Sequence, residues 1–184
     1  RGDLRHVHTY TPDAPLGPLN NCNDLTMDDS GNLYVTDAFG GAVIRIEQAQ
    51  LALPESVVTA SNVWATDPGF QIDIPDGTQF GPNGIEFDGD SALLLAVSYD
   101  GLDNTGSSRF FRLSLDQVPV IDQLEFSAAS PPVVAADGVT RRDDGSYLVV
   151  GNATGLGILT LDGDHLEHSL LTNDPQLIAQ FPTT

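Results

Sequence analysis

The sequence predicts an all-β chain of repeated four-stranded units, set radially as the blades of a β-propeller. Three observations predict it. The first is punctuation: 18 Gly and 12 Pro are spread along 184 residues, many in Asp-Gly-like pairs that mark tight turns between short strands. The second is that no helical pattern of useful length occurs, apart from a turn near Glu47 to Leu53. The third is a repeat. Asn23 to Asp37, Asn83 to Val97 and Asp137 to Val150 each read as a polar head, a short strand, an Asp/Gly/Ser turn and a second apolar strand.

The elements follow in chain order. Residues 1–19 read as the tail of a preceding blade and a linker, with a strand from His6 to Tyr10. Blade one takes roughly 20–66, with its third strand at Ala42 to Glu47. Blade two takes roughly 81–130, with its third strand at Arg109 to Leu115. Blade three takes roughly 135–173, with strands at Gly157 to Leu161 and His165 to Leu171, and 174–184 lead into a next blade. The heads at 23, 83 and 137 are spaced more widely than the roughly 40–50 residues of common blades. Two Gly-, Asp- and Pro-rich loops, Asp67 to Phe80 and Tyr99 to Ser108, take up the excess. The whole reads as one propeller domain or a fragment of one.

The first strand of a propeller blade lines the central channel. A head at its mouth therefore faces the axis, and Asn23, Asn83 and Asp137 are expected to converge there. On this reading Asn83-Gly84, which follows Pro82 and no clear strand, is not a hairpin turn. Its amide points at a shared centre, and Gly84 lets the backbone bend without a Cβ clash.

Charge narrows the partners. The formal net charge is −19, from 26 acids against seven bases, all of them Arg. Such a surface repels phosphate, so nucleic acid and anionic membranes are poor partners, while cations are attracted. It suits a periplasmic or extracellular setting better than the cytoplasm. Without Lys, neither Schiff-base chemistry nor a P-loop is available. No stretch is long and apolar enough for a membrane span. Cys22 is the lone cysteine, so no intrachain disulfide forms.

The stretches NDLTMDDSGNLYVTDAFGGAVIRI, GPNGIEFDG and ADGVTRRDDGSYLVV resemble the six-bladed propellers of the gluconolactonase, senescence marker protein and luciferin-regenerating enzyme family. The diisopropylfluorophosphatase and paraoxonase propellers are its relatives. The resemblance runs from about Asn20 to Leu171 and rests on the order Asn, Asn, Asp of the heads. It implies an axial divalent cation, typically calcium, held by a Glu, one or two Asn and an Asp. Asn23 and Asn83 match the Asn positions and Asp137 the Asp, which the resemblance makes both ligand and base or nucleophile. The matching Glu belongs to a blade upstream of Asn23. About three four-stranded blades of a six-bladed ring are then present, so the chain reads as a fragment.

The implied activity is calcium-dependent hydrolysis of a small-molecule lactone, ester or phosphoester. The alternative is a binding scaffold of the NHL-repeat or strictosidine-synthase type, in which the three heads only cap strand entries through Asx turns. Other signals read as structure. His165 and Glu167 share one face of a strand and His168 takes the other, which fits an outer strand better than a metal site. His6 and His8 share a face without a third ligand. Asp28, Asp29, Asp143 and Asp144 fall in solvent-facing turns. Gly89-Asp90-Ser91 is the repeat's turn rather than a nucleophile elbow. Arg1-Gly2-Asp3 reads as a chance tripeptide, and Asn152-Ala153-Thr154 fits a glycosylation sequon. Trp64 and Phe70 pack the loop before Asn83 or wall a pocket there, with packing preferred.

Overall fold

Each repeat closes its turn through one aspartate. Asp28 accepts from Asn32 N and Asn32 Nδ2, both at 2.9 Å, and from the Tyr34 hydroxyl at 3.0 Å. Asp88 Oδ1 accepts from the backbone N of Asp90, Ser91 and Ala92 at 2.8, 2.9 and 3.0 Å. Asp144 Oδ1 accepts from Ser146 N at 3.1 Å and Ser146 Oγ at 2.6 Å. The turn glycines Gly31, Gly89 and Gly145 lie at φ of 79, 82 and 85°, a region open to a residue without Cβ. Asp28, Asp88 and Asp144 thus do turn chemistry. Unlike Asp144, however, Asp28 is buried rather than solvent-facing, because three donors satisfy its carboxylate.

These turns set up three antiparallel blades in a computed structural model that describes residues 10–12, 22–53, 56–58, 62–73, 79–98, 107–151 and 154–173. Strand β1 (Tyr10–Pro12) comes first. Blade 1 follows with β2 (Cys22–Met27), β3 (Leu33–Asp37) and β4 (Ala42–Ile46), then the single-turn helix α1 (Gln48–Leu51). β5 (Ser56–Val58) leaves the blade to pair in parallel with β1, and β6 (Val63–Thr66) completes the order β2-β3-β4-β6. The segment read as a loop holds a 3-10 turn, Pro68–Phe70, and a short ribbon of β7 (Ile72–Asp73) with β8 (Gln79–Phe80).

Blade 2 is β9 (Pro82–Phe87), β10 (Ala92–Val97), β11 (Arg109–Ser114) and β12 (Ile121–Phe126). Blade 3 is β13 (Ala136–Arg141), β14 (Tyr147–Gly151), β15 (Gly155–Asp162) and β16 (His165–Thr172). β12 and β16 pair in parallel over two residues, which joins blades 2 and 3 into one eight-stranded sheet. The first strands pack side by side, β9 between β2 and β13. The head-bearing strands are therefore the innermost, as the repeat predicts. This is an all-β, blade-built propeller architecture, and among the described residues no helix is long and apolar enough to cross a membrane.

Period-two alternation gives each blade two apolar faces. Tyr34 and Val43 of blade 1 pack with Ile85, Leu93, Leu95 and Phe111 of blade 2. On the other face of blade 2, Leu94, Ala96 and Phe110 pack with Val139, Tyr147 and Leu159 of blade 3. Fully buried Phe70 meets Phe111 edge-on at 5.0 Å, so it packs as expected. Leu95 is wholly buried at the first of these interfaces. Leu95→Ala should cost about 2–5 kcal/mol through lost transfer energy and a residual cavity. Urea unfolding of both chains measures it, and a loss under about 1 kcal/mol would mean that the blades do not pack this way.

The outer strand of blade 3 keeps the predicted alternation: His165 and Glu167 are exposed and His168 is buried, its Nδ1 2.9 Å from Pro131 O. Arg1-Gly2-Asp3, His6, His8 and Asn152 lie outside the described residues.

Candidate functional site

The three heads share one backbone device. On β2, Cys22 pairs with Asp37 and Leu25 with Val35, so the strand carries one residue more than its partner. On β9 the same shift falls between Pro82 and Ile85, and on β13 between Ala136 and Val139. Each is a β-bulge, which re-aims the side chains at its centre. The bulges hold Asn23-Asp24, Asn83-Gly84 and Asp137-Gly138. The repeat alignment therefore places its three heads at equivalent backbone positions.

Their surroundings differ. Asn83 is only 4% exposed, Asp137 is half-buried and Asn23 is exposed. Asn83 Nδ2 donates to Ala136 O at 3.3 Å, which fixes the amide's orientation and brings it beside the Asp137 bulge. Asn83 Oδ1 is buried and has no hydrogen-bond partner among the described residues. An orphan buried acceptor is costly, and native proteins keep few of them. The β9 and β13 backbones touch here, since a Cβ on Gly84 would overlap Asp137 O. Gly84 is needed here for close approach of the next blade, a different reason from the bend read in the sequence.

β13 enters under constraint. Ala135 holds φ at 52°, in the left-handed region that a non-glycine residue adopts at a cost of roughly 1–2 kcal/mol. Ser108 Oγ fixes the next residue by accepting from Ala136 N at 2.7 Å while donating to Ser98 O. This strained entry holds Ala136 and Asp137 in place against Asn83.

The sequence reading missed Asp24. Its Oδ2 accepts from Ile85 N across the blade gap at 3.0 Å, and its Oδ1 accepts from Leu25 N at 2.8 Å. Thr36 Oγ1 accepts from Asp24 N at 2.9 Å and donates to Asn83 O at 2.8 Å, tying the first two bulges together. Burial pushes the Asp24 carboxyl up; the Ile85 and Leu25 N–H donors oppose this, and the Asp137 carboxylate adds to the rise. Burial also raises Glu86, whose Oε1 accepts from Arg141 N at 3.1 Å and which feels the Asp24 charge. An acidic, partly desolvated centre thus spans the three inner strands. One clue was available in the sequence: the second bulge position is Gly in two repeats and Asp in the first.

No three His, Cys, Asp or Glu side chains among the described residues are grouped so as to hold a metal ion by themselves. A cation at the heads would need amide oxygen as well as carboxylate, and Asn83 Oδ1 is a free amide oxygen. A separate cleft of about 470 Å³ lies at the blade rim, lined by Arg45, Glu47, Gln50, Asn62 and Trp64 among others. Trp64 walls it while packing edge-on to Tyr34 at 4.9 Å and donating from Nε1 to Asp116 O. The pocket it walls is this one, on Arg45 and Asn62, and not one at the loop before Asn83.

No protein-family model matches the chain, and no curated protein matches it. Among solved structures it is similar to a catalytically inactive virginiamycin B lyase from Staphylococcus aureus with quinupristin. The identity is 18% and the TM-score 0.41, over 83% of this chain and 56% of that one. A selenomethionine-substituted virginiamycin B lyase from the same organism gives 16% and 0.37, over 80% of this chain and 55% of that one. The chain spans about half the length of these structures.

Proposed function

We propose that the axial end of the three blades is a divalent-cation centre, for calcium, used in the whole protein to hydrolyse a small lactone, ester or phosphoester. The observation that carries this reading is Asn83 Oδ1, a buried acceptor left without a donor beside Asp137. The donor set fits a hard cation, which prefers amide and carboxylate oxygen. When bound, such an ion polarises the substrate oxygen that gains charge.

The chain's own residues divide the work. Asn83 offers a neutral oxygen and Asp137 a full negative charge. A carboxylate oxygen of Asp137 takes the proton from an attacking water, or attacks the substrate directly. Asn23 presents an exposed amide at the mouth. The net charge of −19 concentrates cations around the site.

Asn83→Asp tests this. The change removes the donor to Ala136 O and buries a carboxylate, which is destabilising unless a cation pairs with it. Thermal unfolding with and without calcium should show a lower Tm without the ion, a recovery with it, and a larger calcium shift than in the wild type. Calorimetric titration of the wild type should show calcium binding. No calcium heat in the wild type, together with a Tm loss in Asn83→Asp that calcium leaves unchanged, defeats the reading.

A second reading has its own observation. Asp24, Thr26 and Glu86 each fasten a backbone N–H of the next blade, and Asn83 fastens a carbonyl. On that account the heads set blade geometry in a binding scaffold. It predicts neither calcium binding nor turnover of lactones and aryl esters.

A further inference from the structure

The rim cleft between blades 1 and 2 is held in shape by the protein's own bonds. On β6, Val63 pairs with Ile44 and Ala65 with Val43, so Trp64 is the extra residue of a β-bulge. The bulge turns Trp64 toward blade 2. It packs with Ala65 on the core shared by blades 1 and 2, where alternation alone would send the two to opposite faces. Its Nε1 donates to Asp116 O at 3.0 Å, in the turn between β11 and β12. That turn is itself pinned: Ser114 Oγ donates to Asp116 Oδ2 at 2.8 Å and accepts from Val120 N at 2.9 Å. On the blade 1 side, Asn62 Nδ2 donates to Arg45 O at 2.9 Å and to Gln50 Oε1 at 3.0 Å, which ties β4, α1 and the entry to β6 together.

One cation in this frame has no counter-charge. Ion pairs join Arg112 to Asp88 and Arg142 to Asp144, and none joins Arg45 among the described residues. Arg45 Nε is buried without a hydrogen-bond partner among the described residues. The guanidinium carbon lies 5.9 Å from the centroid of the Tyr34 ring, a contact that attracts the charge without neutralising it. A half-buried charge is ordinarily paired, and the chain has 26 acids to pair it with.

The lining sets the chemistry of an occupant. A guanidinium presents a fork of N–H donors that matches a carboxylate. One negative charge is favoured over several, because the net charge of −19 and Glu47 on the cleft wall repel each further one. Half-buried Trp64 supplies an apolar surface for the C–H face of a ring. Glu47 and Gln117, both exposed, supply an acceptor and an amide for hydroxyl groups. The cleft's volume of about 470 Å³ falls within the roughly 300–1,000 Å³ of small-ligand sites. We propose that this cleft binds an acidic monosaccharide, a uronate, with its carboxylate on Arg45 and its ring against Trp64. The proposal is independent of the hydrolase reading, since Asn23, Asn83 and Asp137 do not line the cleft.

Trp64 is the one tryptophan of the chain, so its fluorescence reports on the cleft directly. Titration with galacturonate or glucuronate should give a saturable change. Galactose, which lacks the carboxylate, and acetate, which lacks the ring, should each bind about tenfold more weakly or worse. Arg45→Gln should weaken uronate binding by about tenfold or more, to the level of galactose. Gln117→Glu lies in an exposed turn, where folding is not at risk. It should weaken uronate binding by about threefold or more through like-charge repulsion, and leave galactose within about twofold. Circular dichroism checks the fold of the Arg45 variant; if that variant unfolds, Gln117→Glu decides alone. No saturable response to either uronate overturns the proposal. So does galactose or acetate binding as tightly as the uronates, or a uronate affinity that the folded variants leave unchanged.

Discussion

Gly84→Ala should destabilise the chain by about 1–3 kcal/mol, and Gly84→Val by more. The added carbon meets backbone rather than a movable side chain. It would overlap Asp137 O and lie 3.0 Å from Val139 Cγ2 and 3.1 Å from Val139 N. The β9 and β13 strands must then part, which also loosens the contacts of Leu94 and Ala96 with Val139. Gly138→Ala is the matched control: it is the same residue one repeat later, with open space around it. That change should be neutral or slightly stabilising, since it restricts only the unfolded chain. Urea unfolding under dilute conditions measures both. If Gly84→Ala matches the wild type, the inner strands are not in contact there and the blade register is wrong.

That register was legible in the sequence because its signals are local. Alternation and Asp/Gly turns placed the strands of all three repeats, and aligning the heads predicted which strand is innermost. The alternation of His165, Glu167 and His168 also sorted exposed from buried correctly. What stayed hidden depends on distance across the blade gap. Asp24 acts on Ile85, 61 residues away, and nothing beside it in the chain marks that bond. Thr36 reads as an ordinary strand residue until its hydroxyl is seen bridging Asp24 and Asn83. Asp28 was read as solvent-facing because burial of a carboxylate depends on the donors folded around it, here Asn32 and Tyr34. Those donors, against the cost of burial, hold Asp28 below the usual carboxylate range. Burial and the bond to Asp28 push Tyr34 up to about 12.

Asp137→Asn should cut metal-dependent turnover by about a hundredfold or more, within the range set by a positioned base. The change is nearly isosteric, so the fold should persist. It removes the one head able to take a proton or attack a substrate, and it removes a full charge from a hard-cation site. Calcium affinity should therefore fall together with turnover. Asn83→Ala, which removes a neutral oxygen, should weaken calcium binding by less. Asp143→Asn, in an exposed turn of the same blade, should change neither. The measurements are calcium titration and turnover of a lactone and aryl-ester panel by the whole protein, with circular dichroism to check folding. Parallel loss of affinity and turnover in Asp137→Asn alone places the carboxylate at the reacting centre. If turnover falls while calcium affinity stays at wild type, Asp137 is a base beside the ion rather than a ligand. If both stay at wild type, Asp137 only caps the entry of β13, and the blade-fastening role of the heads becomes their whole role.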